Sequence, residues 1–484
     1  MAEPQRLLFA VSEAFPLVKT GGLADVAGSL PAVLHRLGVD VRILLPAYGT
    51  LLAKLETSKE VARLQLPGGN VALLETHMPD SGVPVWLLEH PAFSGRDGNP
   101  YQDASGQPWS DNAERFMLLS QAAAALALGE TALDWRADAL HCHDWHTAPA
   151  IALLAEREER PKTVFTIHNL AHLGLFDRAT FERLSLPWAW WSPEAMEFHG
   201  QFCFMKGGLA FADWITTVSP TYAREICSAP GGMGLEGLLS HRRQHLVGIL
   251  NGIDTDIWNP ATDPLLAANY DATQLERKAL NKRALQDELG LPPRDDLPLF
   301  GFVGRLAEQK GIDLLLPVLD ELVAARAQLA ILGTGEARLE QALGEFAAQH
   351  PDAVALRLAY NERLAHRIEA GADVFLMPSL FEPCGLNQMY SLRYGTLPLV
   401  RAVGGLADTV TDASEATIAA GTANGFAFTE ADSSALRTAL DRALLLWRQP
   451  AHWMALQQRA MSGDFSWERS AHQYLDLYGF SPES

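Results

Sequence analysis

Short apolar runs without alternation recur along the chain, each ending in a polar or glycine-rich break and followed by a stretch of helical spacing. Arg6 to Val11 (RLLFAV) is the first. A run that is apolar at successive positions predicts a strand buried on both faces, as in a parallel sheet. It breaks at Ser12-Glu13 and passes through Lys19-Thr20-Gly21-Gly22. A helix over Ala24–Leu37 follows, with Leu30, Val33, Leu34 and Leu37 on one face. Gly38 stops it, and Val39–Leu45 is the next strand.

The same unit repeats. Residues 51–110 predict shorter strands at Asn70–Leu74 and Pro84–Leu88, and Glu114–Leu128 is a strong helix. Four further strands are predicted at Ala137–His143, Lys162–Ile167, Trp214–Val218 and Val247–Leu250. They run into Asp144-Trp145-His146, His168-Asn169, Ser219-Pro220 and Asn251-Gly252. A proline-containing polar stretch from Trp258 to Pro264 reads as a domain boundary. A second series then begins with the strand Leu297–Val303, the loop Gly304–Gly311, a helix over Ile312–Ala327 and the strand Gln328–Leu332. A strand at 354–358 leads to Tyr360. The strand Ala372–Pro378 leads to the turn Ser379–Gly385 and a helix over Leu386–Arg393, and Thr396–Val400 is the next strand. The alternation predicts an α/β protein with doubly wound parallel sheets. The expected division is 1–255, 256–462 and a C-terminal helix in 463–484.

Composition narrows the function classes. A length of 484 residues allows two to four domains, and 48% hydrophobic with 20% charged residues is a globular balance. The net charge of −20 argues against nucleic acid or an anionic membrane as the main partner. Cys142, Cys203, Cys227 and Cys384 form no CxxC pair, the usage of a reducing compartment. No signal-peptide pattern and no apolar stretch of membrane-spanning length is read, so the expectation is a cytoplasmic protein.

Candidate chemistry gathers where strands end. In open α/β sheets ligands bind at the carboxyl edge of the strands. Glu382 and Cys384 occupy one such turn, beside a helix start whose free N–H groups suit phosphate or sugar oxygens. Arg305 and Lys310 flank another strand-to-helix loop, with no acid beside them, at a spacing that lets both cations meet one diphosphate. His141, His143, Asp144 and His146 could be read as a metal cluster. A strand alternates faces, however, so Asp144 turns away from His141 and His143, and contacts to sugar hydroxyls fit better. No metal or cofactor is expected. Gly21-Gly22-Leu23-Ala24-Asp25 recurs word for word as Gly404-Gly405-Leu406-Ala407-Asp408. Either five common residues recur by chance, or both halves need a glycine loop leading into a helix, each facing one cleft. The dinucleotide fingerprint GxGxxG is absent, which counts against a nicotinamide oxidoreductase.

Together these stretches resemble the bacterial glycogen synthase (starch synthase) family of retaining glycosyltransferases. The motifs that carry the resemblance are KTGGLADV at Lys19–Val26, HCHDWH at His141–His146, TIHNLAHLG at Thr166–Gly174 and SPTYAREI at Ser219–Ile226. NGID at Asn251–Asp254, GRLAEQKG at Gly304–Gly311, PSLFEPCGLNQMY at Pro378–Tyr390 and VGGLADTV at Val403–Val410 extend it over nearly the whole chain. The resemblance implies two Rossmann-like domains facing a deep cleft, the GT-B type, with the C-terminal helix crossing back to the first domain. It implies glucose transfer from ADP-glucose to the non-reducing end of glycogen or another α-1,4-glucan, without a metal.

Carried over residue by residue, the resemblance implies that Glu382 lies near the anomeric carbon. Asp144 and His168 line the glucose, and Arg305 with Lys310 stabilises the leaving diphosphate. Lys19, Gly21 and Gly22 contact the donor phosphates, and Tyr360 stacks on adenine. Asp25 and Asn251 sit in the cleft, and backbone N–H groups around Cys384, Gly385 and Leu386 hold the sugar. Two positions depart from related patterns. Tyr390 stands where many relatives of this architecture carry a second Glu, so a paired-carboxylate double displacement finds no support there. Asn387 stands where Thr is expected. UDP-glucose as donor, or an inactive glucan-binding protein, are the competing readings.

Overall fold

The computed structural model describes residues 5–55, 57–96 and 98–481. It divides into two compact units, one of Met1–Gly252 with Trp467–Ser484, the other of Ile253–Ser466.

The first unit is built on a nine-stranded sheet among the described residues. Across it the order is Leu246–Gly248, Trp214–Thr217, Lys162–Ile167, Ala139–His143, Arg6–Ala10, Asp40–Pro46, Pro84–Glu89, Gly69–His77 and Lys59–Leu66. The first seven are mutually parallel. Leu7, Leu8, Phe9 and Ala10 are all fully buried, so both faces of the first strand are covered. Each large apolar side chain so placed contributes roughly 1.5–3 kcal/mol, which makes a continuous apolar run a sheet centre rather than an edge.

One edge departs from the all-parallel expectation. Gly69–His77 runs antiparallel to both its neighbours, Lys59–Leu66 and Pro84–Glu89. Only Pro67 and Gly68 join the first two of these strands, and a parallel return needs a crossover of a dozen residues or more. Lys59–Leu66 was not anticipated as a strand. Its alternating polar and apolar positions, one side exposed, were the available signal.

The second unit holds a six-stranded parallel sheet among the described residues, ordered Val354–Arg357, Gln328–Leu332, Leu299–Val303, Val374–Met377, Leu397–Arg401 and Phe426–Phe428. The helix expected over Ile312–Ala327 is broken into Ile312–Leu315, a 3₁₀ turn at Leu316–Val318 and Leu319–Ala324. Pro317 lacks the N–H that would continue the helix. In the parallel part of each sheet the strand order reverses once. In the first unit the reversal falls between Arg6–Ala10 and Ala139–His143, in the second between Leu299–Val303 and Val374–Met377. Loops leaving such neighbours diverge to opposite faces and leave a crevice.

The C-terminal helix Glu468–Tyr478 belongs to the first unit and packs on the helix Gly22–Arg36 and the strand Lys162–Ile167. It buries Ala471, Tyr474, Leu475 and Tyr478. Ser470 Oγ donates to Leu250 O at 2.5 Å, and Tyr478 Oη lies 2.7 Å from His141 Nδ1. Among the described residues no helix is long and apolar enough to cross a membrane.

Candidate active site

In the second unit the strand Leu299–Val303 feeds the loop bearing Arg305 and Lys310, and Val374–Met377 feeds the turn bearing Glu382. The two loops leave neighbouring strands at the reversal point and are stitched together. Leu380 N donates to Gln309 O at 2.8 Å, Gln309 Nε2 to Phe381 O at 3.3 Å, and Asn387 Nδ2 to Val303 O at 2.7 Å. Asn387 therefore anchors the start of the cationic loop with its amide nitrogen.

Glu382 is buried, and Lys310 Nζ lies 2.6 Å from its Oε2. Ser379 Oγ donates to the same oxygen at 3.0 Å. Among the described residues Oε1 accepts no hydrogen bond. The expectation of two cations with no neighbouring acid is thus corrected: Lys310 has a carboxylate partner, brought to it by the adjacent strand. Arg305 instead donates to Gln309 Oε1 at 3.2 Å and is exposed. Cys384 is buried, and Gly385 turns the chain at φ 73° into the helix Asn387–Arg393. Tyr360 lies on the loop after Val354–Arg357 and is 77% exposed. Tyr390 faces away from this chemistry. Its ring stacks on Trp258 at 3.7 Å, and Trp258 stacks in turn on His366 at 3.7 Å, which accounts for an aromatic residue at that position.

In the first unit Asp144 opens the helix Asp144–Ala155 with a positive φ of 52°. This left-handed geometry is tolerated by Asp and Asn better than by most residues. It turns the carboxylate onto the next loop, where Oδ1 accepts from His168 N at 2.8 Å and Asn169 N at 3.5 Å. Burial raises the Asp144 pKa to about 7, against those two hydrogen bonds and with a contribution from the charge of Glu13. His168 Nε2 lies 2.9 Å from His143 Nδ1, and burial lowers the His168 pKa to about 3. His141 and His143 share a strand face, ring centroids 3.9 Å apart. Both nitrogens of His141 are used, by Tyr478 Oη and Thr166 Oγ1, so it is fastened into the fold.

Lys19 pairs with Asp25 at 2.7 Å, and Gly21 and Gly22 are exposed between them. Asn251 is buried, and its Oδ1 has no partner among the described residues. Sequence reasoning missed Glu13 and Tyr101. Buried Glu13 accepts from Thr20 N, Thr20 Oγ1 and Gly21 N at 2.5, 2.6 and 3.2 Å, and burial raises its pKa. Tyr101 Oη lies 2.8 Å from Ser12 Oγ, and its ring stacks on His146 at 4.6 Å. Glu13 had a signal, because it follows the first strand at the carboxyl edge. Tyr101 had none, since it comes from a long loop.

Two α/β units, each carrying polar residues at its strand-order reversal, are those of a two-domain glycosyltransferase of the GT-B type. Residues 6–241 match the family described as starch synthase catalytic domain, and residues 287–457 the family described as glycosyl transferases group 1. The glycogen synthase of Cellvibrio japonicus is 54% identical over 98% of this chain and 98% of its own length. Glycogen synthase 1 of Methylococcus capsulatus is 52% identical over 98% and 96%. The catalytic domain of starch synthase IV from Arabidopsis thaliana, bound to ADP and acarbose, is similar in structure with a TM-score of 0.87 at 34% identity, covering 98% of this chain and 99% of that one. The chain belongs to the glycogen and starch synthase family.

Proposed function

We propose that this protein transfers glucose from ADP-glucose to the non-reducing 4-hydroxyl of an α-1,4-glucan such as glycogen, with retention of configuration, and that it acts in the cytoplasm. The observation that carries this reading is the Glu382 carboxylate, held through one oxygen by Lys310 and Ser379 with the other oxygen unbonded. A fixed, buried anion of this kind stabilises positive charge developing at an anomeric carbon. Lys310, shared with Glu382, and Arg305 offset the negative charge growing on the leaving diphosphate.

The remaining roles follow each residue's setting. Gly385 and Leu386 N–H groups, unbonded among the described residues, donate to sugar or phosphate oxygens together with the backbone at Cys384. Tyr360, exposed, stacks on adenine. In the first unit His168 is neutral over the physiological range, so it exchanges hydrogen bonds with a glucose hydroxyl without bringing a charge. Asp144 orients His168 and Asn169 through their backbone. Lys19, Gly21, Gly22, Asp25 and the unpartnered Asn251 oxygen contribute to donor binding.

With Tyr390 committed to the Trp258 stack, position 390 offers no second carboxylate for a covalent intermediate. The route we infer from the family resemblance is a front-face one, in which the acceptor oxygen bonds to the anomeric carbon on the face the diphosphate leaves. The glycosidic C–O bond breaks with its electron pair on the phosphate oxygen, and that oxygen takes the acceptor's proton.

The test is a coupled nucleotide-release assay with glycogen as acceptor, comparing ADP-glucose with UDP-glucose, with and without EDTA. Expected is glycogen-dependent ADP release that favours ADP-glucose and survives EDTA. Preference for UDP-glucose overturns the donor, loss with EDTA overturns the metal-free mechanism, and no release with either donor leaves a glucan-binding protein.

A further inference from the structure

The sequence Gly-Gly-Leu-Ala-Asp opens a helix twice, at Gly22–Arg36 and at Gly404–Thr409, but the two copies have opposite surroundings. A Cβ on Gly22 would meet no heavy atom within 4 Å, and one on Gly21 would meet only Glu13 Oε1, at 3.8 Å. Gly404 and Gly405 are buried. A Cβ on Gly404 would overlap the carbonyl oxygen of Glu382, and one on Gly405 that of Cys384. Gly404 also has φ 44°, which favours glycine.

The second copy is bonded to the Glu382 turn from beneath. Gly405 N donates to Glu382 O at 3.2 Å and to Pro383 O at 3.1 Å. Gln388 is fully buried, and its Nε2 donates to Cys384 O and Gly385 O, each at 3.0 Å, and to Thr409 Oγ1 at 3.3 Å. Thr409 Oγ1 donates to Gly405 O at 2.6 Å, closing the circuit. Every carbonyl from Glu382 to Gly385 thereby accepts a hydrogen bond inside the protein, whereas the N–H groups of Gly385 and Leu386 make none among the described residues. A turn whose acceptors are absorbed and whose donors are left presents only positive dipole ends to a ligand.

We propose that Gly405, Thr409 and Gln388 are positioning residues for the Glu382 turn, fixing the carboxylate and the donor-only polarity of the backbone beside it, while the first copy is the one that receives substrate. This inference rests on the transfer reading above. Identical sequences serve different ends because Gly21 and Gly22 border open space and Gly404 and Gly405 border a neighbouring backbone. The second glycine loop is therefore not a ligand-facing loop, as the repeat by itself suggested.

The test uses the full chain with ADP-glucose and glycogen. It measures kcat and KM for Gly405→Ala, Thr409→Val, Thr409→Ser and Gly22→Ala beside the unfolding temperature of each. A misplacement of about 1 Å costs on the order of a hundredfold in rate, so Gly405→Ala is expected to lose about that factor in kcat with KM for glycogen within about twofold. Thr409→Val is expected to lose about tenfold in kcat at a near-normal unfolding temperature, and Thr409→Ser, which keeps the hydroxyl, to stay within about twofold of the parent. Gly22→Ala is expected to raise KM for ADP-glucose with the unfolding temperature unchanged. Should Gly405→Ala fail to fold, the Thr409 pair decides. Folded Thr409→Val with parental kcat, or Thr409→Ser as impaired as Thr409→Val, overturns the positioning role while the transfer reading stands. Absence of ADP release from the parent overturns both.

Discussion

Lys310 Nζ stands 2.6 Å from Glu382 Oε2, joining loops that leave neighbouring strands on either side of the reversal in the second sheet. The two residues are 72 positions apart, and only the strand order makes them neighbours. Because they act as a pair, their losses should not add. Glu382→Gln and Lys310→Met are each expected to lower kcat by about 10²–10³, and the double variant to be far less impaired than the product of the two. Steady-state ADP release from the three variants checks this. Fully multiplicative losses would mean that the pair does not work as a unit.

Asp144 carries a pH dependence of defined sign. Its pKa is raised to about 7 from an ordinary 3.8, so on raising the pH the unfolded chain loses this proton first. Stability from this group is therefore full below about pH 4, falls between about pH 4 and pH 7, and is level above. Asp144→Asn removes the ionisation, and Asn tolerates the φ of 52° and can still accept from His168 N. The variant's unfolding temperature relative to the parent should climb from pH 4 to pH 7 and then level off. A shift of about three pKa units corresponds to at most about 4 kcal/mol. A difference that does not vary with pH would refute the raised pKa.

Four histidines of the first unit, three buried and His168 half-buried, act in the opposite sense. His168 is lowered to about 3, and burial lowers His141, His143 and His146 well below the usual range. Each is neutral in the fold, so stability is lost as the pH falls through about 6.5. Four such groups outweigh Asp144, and the net expectation is acid lability of the first unit. Thermal melts between pH 7 and pH 5 should show a falling midpoint, in the parent and in Asp144→Asn alike.

The C-terminal helix is fastened by the hydrogen bond between Tyr478 Oη and His141 Nδ1. Tyr478→Phe keeps the ring and removes the hydroxyl, leaving a fully buried imidazole nitrogen unpartnered, at a cost of about 1–3 kcal/mol. Denaturant unfolding should register that loss, with kcat unchanged at a temperature where the variant is folded.

Tyr360 is exposed enough that its removal should spare the fold. If it stacks on the base, Tyr360→Ala forfeits about 1–3 kcal/mol of donor binding, that is, KM for ADP-glucose raised about tenfold or more. KM for glycogen and the unfolding temperature should not move.

Most of the strands were legible in the sequence because each is a continuous apolar run closed by a polar break, and burial on both faces demands that pattern. Glu382, Asp144, His168 and Asn251 were legible for the related reason that they follow such strands. Lys59–Leu66 escaped because it alternates on a half-exposed edge. Pro317 interrupts a stretch whose spacing is otherwise helical, so there the missing N–H outweighs the apolar period. Glu13 follows the first strand at its carboxyl edge, a position that carries the same signal. Its role became evident only when Thr20 and Gly21 were seen to donate to it.

The sequence by itself determined the α/β alternation, the strand ends where chemistry gathers and the family, since these depend on residue type and local order. Tertiary structure alone decided that Lys310 meets Glu382, that Tyr390 stacks on Trp258, and that two identical glycine loops have opposite surroundings. Those outcomes depend on which strands become neighbours and what backbone lies across from a side chain. Neither is a property of any short stretch of chain.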